Sequence, residues 1–580
     1  MPGYSAPVPR TSHRPPVQAR HYALCSGHFL ATAAGHRMFN LGGNAIDAGV
    51  AAGICLNVLL PDLTSFGGVA PTIVYHKESD ELRSISGLGY WGKDANLEVY
   101  QREEGGVIPN GARRSVMPAA ADAWLTSLAR YGTLSFETVI TPAIELCEQG
   151  FQMYPSLHRN LNKHRPNIEC FPSSAEVFLP GGRVPEVGEI FYQKDLGRTF
   201  RRMVDAEKRA SSNGRRAGVE AARDEFYKGD IAREIAAFIT EQGGFITEED
   251  LAGFASDIET PPSINYKGID VYATGPWSQG PMNLQTLKIL EGIDLKSMGH
   301  NSADYLSTLV QALDLVFADR EAYYADPKFF DVPLDELLSE AYAAVQRRRI
   351  DPNTTFDEMP APGQLSAVGA VRGGSGPIGS MSDEPYPDTS YVCAVDAEGN
   401  AFSATPSDPV AGSPVIPGLG LIASGRGNQS RIDPDHPSSL QPGKRPRLTP
   451  NPAMAFKDGK LYMPFGTPGG DMQVQSMVQV FLNIVEFEMD PQEAIEQPRI
   501  GTFNHPDSFA PHTYWPGLRQ IETRIDASVI EELEKRGHKI ERWPDWTRST
   551  GNVCTIVVDH DTGTRTAGAD ARAEAYAIGW

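Results

Sequence analysis

An α+β fold is expected from three observations. Helical periods dominate the first two-thirds of the chain, three short β-hairpins mark the last third, and no internal repeat or heptad pattern intervenes. The 580-residue length allows roughly three or four ordinary domains. A chain this long can bury a large core without disulfides.

The elements follow in order. Residues 1–20 are Pro-rich, lack a continuous apolar stretch and are expected as a flexible leader, not a secretory signal. Gly42-Gly43-Asn44-Ala45-Ile46-Asp47 suits a helix start, and the apolar run to Leu60 suits a buried helix too short to span a bilayer. Pro71–Tyr75 and Leu82–Ser86 are expected as strands about a polar turn. Residues 118–150 carry two helical periods around Tyr131-Gly132, and the charged stretch 205–225 predicts a surface loop and helix. Residues 225–254 predict a helix, a Gly243-Gly244 stop and a capped restart at Thr247-Glu248-Glu249-Asp250. Leu306, Leu309, Val310, Leu313 and Phe317 predict an amphipathic helix over 302–326. Residues 351–388 are rich in Pro, Gly, Ser and Asp without periodicity, a long loop. Hairpins are then expected at 391–404, 453–465 and 553–569, with a helix over 472–487.

Composition narrows the function. With 52 Lys+Arg against 73 Asp+Glu the net charge is −21, which argues against nucleic acid or an anionic membrane as partner. The six cysteines, Cys25, Cys55, Cys147, Cys170, Cys393 and Cys554, form no CxxC pair and are expected as reduced thiols of a cytoplasmic protein. There is no P-loop, no GxGxxG between a strand and a helix, no HExxH and no GxSxG, so no cofactor and no metal are expected. Asp433–Pro437 is read as turn-forming in preference to metal-binding.

Two positions carry candidate chemistry. Thr389 stands where the long loop meets the first hairpin strand. A Thr serves as nucleophile if its own α-amine is free to act as base, which requires the 388–389 peptide bond to break; the alternative is an ordinary Thr at a strand start. Gly466-Thr467-Pro468-Gly469-Gly470 lies between a strand and a helix. The N–H groups of Gly469 and Gly470 there suit an oxyanion, or simply make a turn.

Taken together, the ordered landmarks resemble the γ-glutamyltransferase family of N-terminal nucleophile (Ntn) hydrolases from about residue 22 to the C-terminus. They are Gly42–Ala48, Phe226-Tyr227-Lys228-Gly229, Gly243-Gly244, Ala318-Asp319-Arg320, Asp388-Thr389-Ser390-Tyr391, Lys444-Arg445-Pro446, Gly466–Gly470 and Gly568-Ala569-Asp570. The resemblance implies a four-layer αββα sandwich made as one precursor. That precursor cleaves itself between Asp388 and Thr389 into a large subunit, 21–388, whose 351–388 segment is a flexible tail, and a small subunit, 389–580. The two form one interlocked heterodimeric domain, and whether two heterodimers associate is left open. Thr389 would form an acyl-enzyme, Gly469 and Gly470 would hold the oxyanion, and Ser407, 18 residues after the nucleophile, would supply the supporting hydroxyl.

The departures from the family concern the substrate. The family's α-carboxylate-binding Arg falls on Ser86-Gly87-Leu88-Gly89, and its amino-end clamp falls on Pro409 and on Asn428 or Gln429. Its paired serines fall on Leu448 and Thr449, and Tyr391 replaces a family His. Losing that Arg loses a bidentate carboxylate contact. Trp277–Pro281, Ser424–Gly427, Ile432–Pro437 and Pro442–Pro446 look like the oxamate-amidohydrolase-like branch. Arg426 is then either the replacement carboxylate partner or a surface Arg. The expected activity is hydrolysis of, or acyl transfer from, a small amide, with a carboxylate-bearing substrate in view. The alternatives are a true γ-glutamyl hydrolase or transpeptidase with a rewired clamp, and an uncleaved, inactive binding or scaffold protein.

Overall fold

The structure is a computed structural model that describes residues 12–366, 376–379 and 388–580. Its core is two seven-stranded sheets packed face to face. The strands are, in chain order, β1 (Val17–Ala19), β2 (Ala23–Ser26), β3 (Thr72–His76), β4 (Glu81–Ile85), β5 (Ile258–Glu259), β6 (Ser263–Tyr266), β7 (Ile269–Ala273), β8 (Val392–Val395), β9 (Ala401–Ala404), β10 (Ala453–Lys457), β11 (Lys460–Gly466), β12 (Cys554–Asp559), β13 (Thr564–Ala569) and β14 (Tyr576–Gly579). One sheet runs β1-β13-β12-β11-β10-β7-β6 and the other β14-β2-β8-β9-β3-β4-β5. Each therefore mixes strands from before and after residue 389.

Period-two alternation sorts the strands between layers. On β8, Val392 and Ala394 join the helices on the outer side, while Cys393 and Val395 face the second sheet. On β10, Met454 and Phe456 face between the sheets, and Ala453 and Ala455 meet the opposite helical layer. The first helical layer includes α1 (Phe29–Asn40), α2 (Ala45–Leu59), α3 (Ala120–Tyr131) and α4 (Phe136–Glu148). The second includes α5 (Gly280–Glu291), α6 (Ala303–Tyr323) and α7 (Met472–Val485). The order is αββα, as expected.

The glycine-rich start of α2 is explained by its cap. Asn44 accepts from the N–H groups of Ile46 and Asp47, and Asp47 accepts from the Asn44 N–H at 2.9 Å, a capping box. Asp396, in the β8–β9 turn, accepts from the Ala45 N–H at 2.9 Å, which ties this helix to the strand pair that carries the site.

The three expected hairpins form (β8–β9, β10–β11 and β12–β13), as do the helices on both sides of Tyr131-Gly132 and the Thr247-capped helix Glu248–Gly253. Three expectations are corrected. The end of the leader is ordered: β1 pairs with β13, because residues 17–19 complete an otherwise open sheet edge. Residues 1–11 lie outside the described residues. The charged stretch 205–225 is helical apart from the turn at 211–214, within Lys194–Ala210 and Arg215–Tyr227. Helix α6 is buried all round, not amphipathic, since Asp314, Asp319, Arg320 and Glu321 on its polar side find buried partners. The described parts of 351–388 hold no helix or strand; 367–375 and 380–387 lie outside the described residues.

Candidate active site

The β8–β9 hairpin positions the candidate nucleophile. Val392 pairs with Ala404, and continuing that antiparallel register past the hairpin's open end places residue 389 opposite residue 407. The Ser390 N–H donates to the Pro406 carbonyl at 2.9 Å, which keeps the register to that point. The 18-residue spacing is thus a consequence of hairpin geometry. The Thr389 and Ser407 hydroxyls lie 2.6 Å apart, both fully buried.

Ser407 is held from the other side. Its N–H donates to the Val69 carbonyl at 2.9 Å. Any side chain at Gly68 would bring Cβ within 2.3 Å of the Ser407 carbonyl, so a glycine is needed for this approach. Thr389 has φ 85. A β-branched residue in that region is strained by about 1–3 kcal/mol. Cutting the bond N-terminal to Thr389 removes the φ constraint.

Three hydrogen bonds converge on the 388–389 peptide. The Thr389 hydroxyl donates to the Asp388 carboxylate at 2.9 Å. The Gly469 N–H donates to the Asp388 main-chain carbonyl at 3.3 Å, and the Thr389 N–H donates to the Leu63 carbonyl at 3.1 Å. Gly469 reaches this position with φ 128, open to glycine and barely to any other residue. Gly470 follows at φ 55. Just beyond, Asp471 anchors the turn, accepting from the Ser508 N–H at 2.9 Å, the Ser508 hydroxyl at 2.6 Å and Arg320 at 2.6 Å, and also from Gln279. Burial pushes the Asp471 carboxyl up, but Arg320, His505 and the Ser508 contacts outweigh it and hold it at about 2.

Arg426 closes the cluster. It is buried and pairs with the Asp388 carboxylate at 2.5 Å, so the surface alternative for Arg426 is corrected: the Ser424–Gly427 turn folds inward because Asp408 accepts from the Ser424 hydroxyl and the Gly425 N–H. Arg426 also donates to the Ser407 hydroxyl and lies 3.6 Å from Asp408. Burial raises the Asp408 carboxyl, with Arg426 and the Ser424 hydroxyl opposing.

A cavity of about 290 Å³ opens beside this cluster, lined among others by Arg114, Asp388, Asp408, Arg426, Asn428 and Phe509. Asp388 lines it, whereas the adjoining Thr389 does not and is fully buried. The Asn428 side-chain oxygen is buried without a hydrogen-bond partner among the described residues. Gln429 and Thr449 are brought together, at 3.1 Å, but away from this cavity. Tyr391, expected to bind substrate, instead belongs to the layer between the sheets. Its hydroxyl meets that of Ser403 at 2.7 Å and its ring lies against Gly466. Its place on β8 points it there by alternation.

Three contributors escaped the sequence. Arg114, its guanidinium lowered to about 10 by burial, reaches the cavity from the loop before α3, held by Ser413, Asn110 and the Ala411 carbonyl. Asp408 and Asp471 escaped too, although each directly follows a residue that was singled out. Among the described residues no cluster of His, Cys, Asp and Glu could hold a metal ion.

Two sheets between two helical layers, with a Thr at the mouth of a central strand, define the Ntn-hydrolase class. The γ-glutamyltranspeptidase family model matches residues 31–580. The chain is 32% identical over 561 residues to the glutathione hydrolase-like YwrD proenzyme of Bacillus subtilis, covering 96% of this chain and 98% of that protein. It is 30% identical over 592 residues to the acylase ACY 1 proenzyme of a Pseudomonas strain, covering 98% and 96%. Cephalosporin acylase from Bacillus halodurans superposes with a TM-score of 0.85 at 28% identity, over 100% of this chain and 99% of that one. The chain belongs to the γ-glutamyltranspeptidase family, and so to the Ntn amide hydrolases and acyltransferases.

Proposed function

We propose that the chain is a precursor that cleaves itself between Asp388 and Thr389, and that the exposed Thr389 then hydrolyses a small, carboxylate-bearing amide. The observation that carries this is the Thr389 hydroxyl, hydrogen-bonded to Ser407 and Asp388, beside a scissile carbonyl that already receives the Gly469 N–H. Ser407, itself polarised by Arg426, orients the hydroxyl. Gly469 and Gly470 stabilise the oxyanion, an effect worth about 3–4 kcal/mol per donor in acyl transfer. Release of Asp388 uncovers Thr389 to the cavity and frees the α-amine to serve as base.

Arg426 is the substrate's carboxylate partner, and Asn428 offers an acceptor to its polar end. The segments 21–388 and 389–580 stay together as a heterodimer, which the mixing of their strands in both sheets supports. A cytoplasmic location is favoured by six free cysteines, five of them buried. Among the described residues no helix is long and apolar enough to cross a membrane.

A second reading, a γ-glutamyl hydrolase with a rewired clamp, is favoured by the likeness to a glutathione hydrolase-like protein. The test is turnover of simple carboxylate-bearing anilides against γ-glutamyl-p-nitroanilide, with Thr389→Ala as control. We expect hydrolysis of the former, weak turnover of the latter and none by the variant. Efficient γ-glutamyl transfer to glycylglycine would favour the second reading, and activity in the variant would refute the nucleophile.

A further inference from the structure

In the uncleaved chain the residue on the acyl side of the scissile bond is Asp388, and its surroundings match those a substrate would meet. Its main-chain carbonyl takes the Gly469 N–H at 3.3 Å. Its side-chain carboxylate pairs with Arg426 at 2.5 Å and takes the Thr389 hydroxyl at 2.9 Å. The nitrogen that would leave, that of Thr389, donates its hydrogen to the Leu63 carbonyl. The same Thr389 oxygen, the same oxyanion donor and the same guanidinium serve both reactions. Only the acyl group changes.

Asp388 therefore measures the site. In an aspartyl residue two carbons, Cα and Cβ, separate the reacting carbonyl from the carboxylate. Arg426 is buried and fixed from several sides, by Asp408, Ser407 and the Phe509 ring 5.4 Å away, so it cannot follow a carboxylate that falls short or overshoots. We propose, on the basis of the Thr389 amidohydrolase reading, that Asp388 is a built-in template of the substrate and that the mature enzyme prefers monoamides of a four-carbon dicarboxylic acid, the succinyl class. A malonyl group is one carbon too short. Glutaryl and γ-glutamyl groups are one too long.

The reaction balances without a co-reactant other than water. The Thr389 oxygen adds to the succinyl amide carbon, and its proton passes to the Thr389 α-amine. The C–N bond breaks and the amine leaves with that proton. Water then adds to the ester, the Thr389 hydroxyl is restored, and succinic acid departs. In self-cleavage no α-amine is yet free: the Asp388 acyl group shifts from the Thr389 nitrogen to the Thr389 oxygen, the departing nitrogen takes up the proton, and water then opens the ester to release the Asp388-ended tail of the large subunit.

The test uses the purified protein after N-terminal sequencing has scored cleavage at Thr389. Malonyl, succinyl, glutaryl, γ-glutamyl and uncharged butyryl p-nitroanilides are compared by kcat/KM. A single-carbon mismatch is worth roughly tenfold or more in a fixed pocket, so the succinyl compound should lead its neighbours by at least about tenfold and butyryl by more. Succinate should inhibit more strongly than glutarate. Glutaryl or γ-glutamyl turnover equal to succinyl in cleaved enzyme overturns the template and leaves the amidohydrolase reading standing. Absence of cleavage together with absence of any turnover overturns both. The precursor gives a separate readout: Asp388→Glu should slow self-cleavage by about tenfold or more in a time course on denaturing gels, and an unchanged rate overturns the template.

Discussion

Two buried charge clusters lie close together in this molecule, and their difference is instructive. In one, Glu321 receives Arg320 at 3.0 Å, Arg447 at 2.5 Å and Arg431, while Arg320 also holds Asp471. Burial works against the Glu321 charge, yet Arg431, Arg447 and Arg320 together hold its carboxyl well below the usual range. Arg320 and Glu321 precede residue 388 and the remaining partners follow it, so the proposed cleavage would leave every pair intact. In the other cluster, Arg426 rests on Asp388, the residue that the proposed cleavage would send away. The first cluster holds the Gly469-Gly470 turn and joins the segments before and after residue 388. The second is provisional, and an arginine that loses its carboxylate is ready to take another. Buried charge alone does not separate scaffold from site; on the proposed cleavage, what does is whether the partner would survive it.

Breaking the nucleophile should have the largest effect. Thr389→Ala leaves both charge clusters whole but should abolish cleavage and amide hydrolysis, read on a denaturing gel and by anilide release. Breaking the permanent cluster comes next. Arg320→Leu strands Asp471 and one side of Glu321 in the interior, which should cost about 3–5 kcal/mol. It would be read as a lowered denaturation midpoint, with the relative rates among acyl groups unchanged. Ser407→Ala removes one hydrogen bond to the nucleophile, one that Arg426 polarises. At about 1.5–3 kcal/mol for such a bond, cleavage and kcat/KM should fall roughly tenfold to a hundredfold.

A smaller effect concerns pH. The α-amine of Thr389 acts as base only when unprotonated, and its ordinary pKa is about 7.7–8.0. Therefore kcat/KM should rise with pH and level off above about 8, and a flat profile from pH 6 to 9 would remove the amine from the mechanism. The smallest effect is expected at the surface, where Lys93 pairs with Glu249 with both side chains largely exposed. Lys93→Ala should leave the denaturation midpoint and the activity unchanged, because solvent screens an exposed pair.

Local features were legible in the sequence where the physics is local. The hairpins announced themselves by turn residues between alternating apolar runs, the Thr247 cap by its spacing to Asp250, and the start of α2 by its glycines, although its Asn44–Asp47 capping box was not read there. The pairing of Thr389 with Ser407 follows from the β8–β9 register. What stayed hidden is tertiary. Nothing near Arg114 shows that it will reach Arg426's cavity from a loop some 300 residues away. The polar residues of α6 looked solvent-facing because their partners, Asp471, Thr502 and Arg447 among them, lie far along the chain. Tyr391 looked like a site residue by its place beside Thr389, but strand alternation turns it the other way.

The most direct test of the central claim is intact-mass analysis with N-terminal sequencing of the wild-type protein. Self-cleavage predicts two chains that co-purify, one of which spans residues 389–580 and begins Thr389-Ser390-Tyr391, while Thr389→Ala remains a single chain. A wild-type protein that stays as one 580-residue chain, yet hydrolyses amides, would contradict the account.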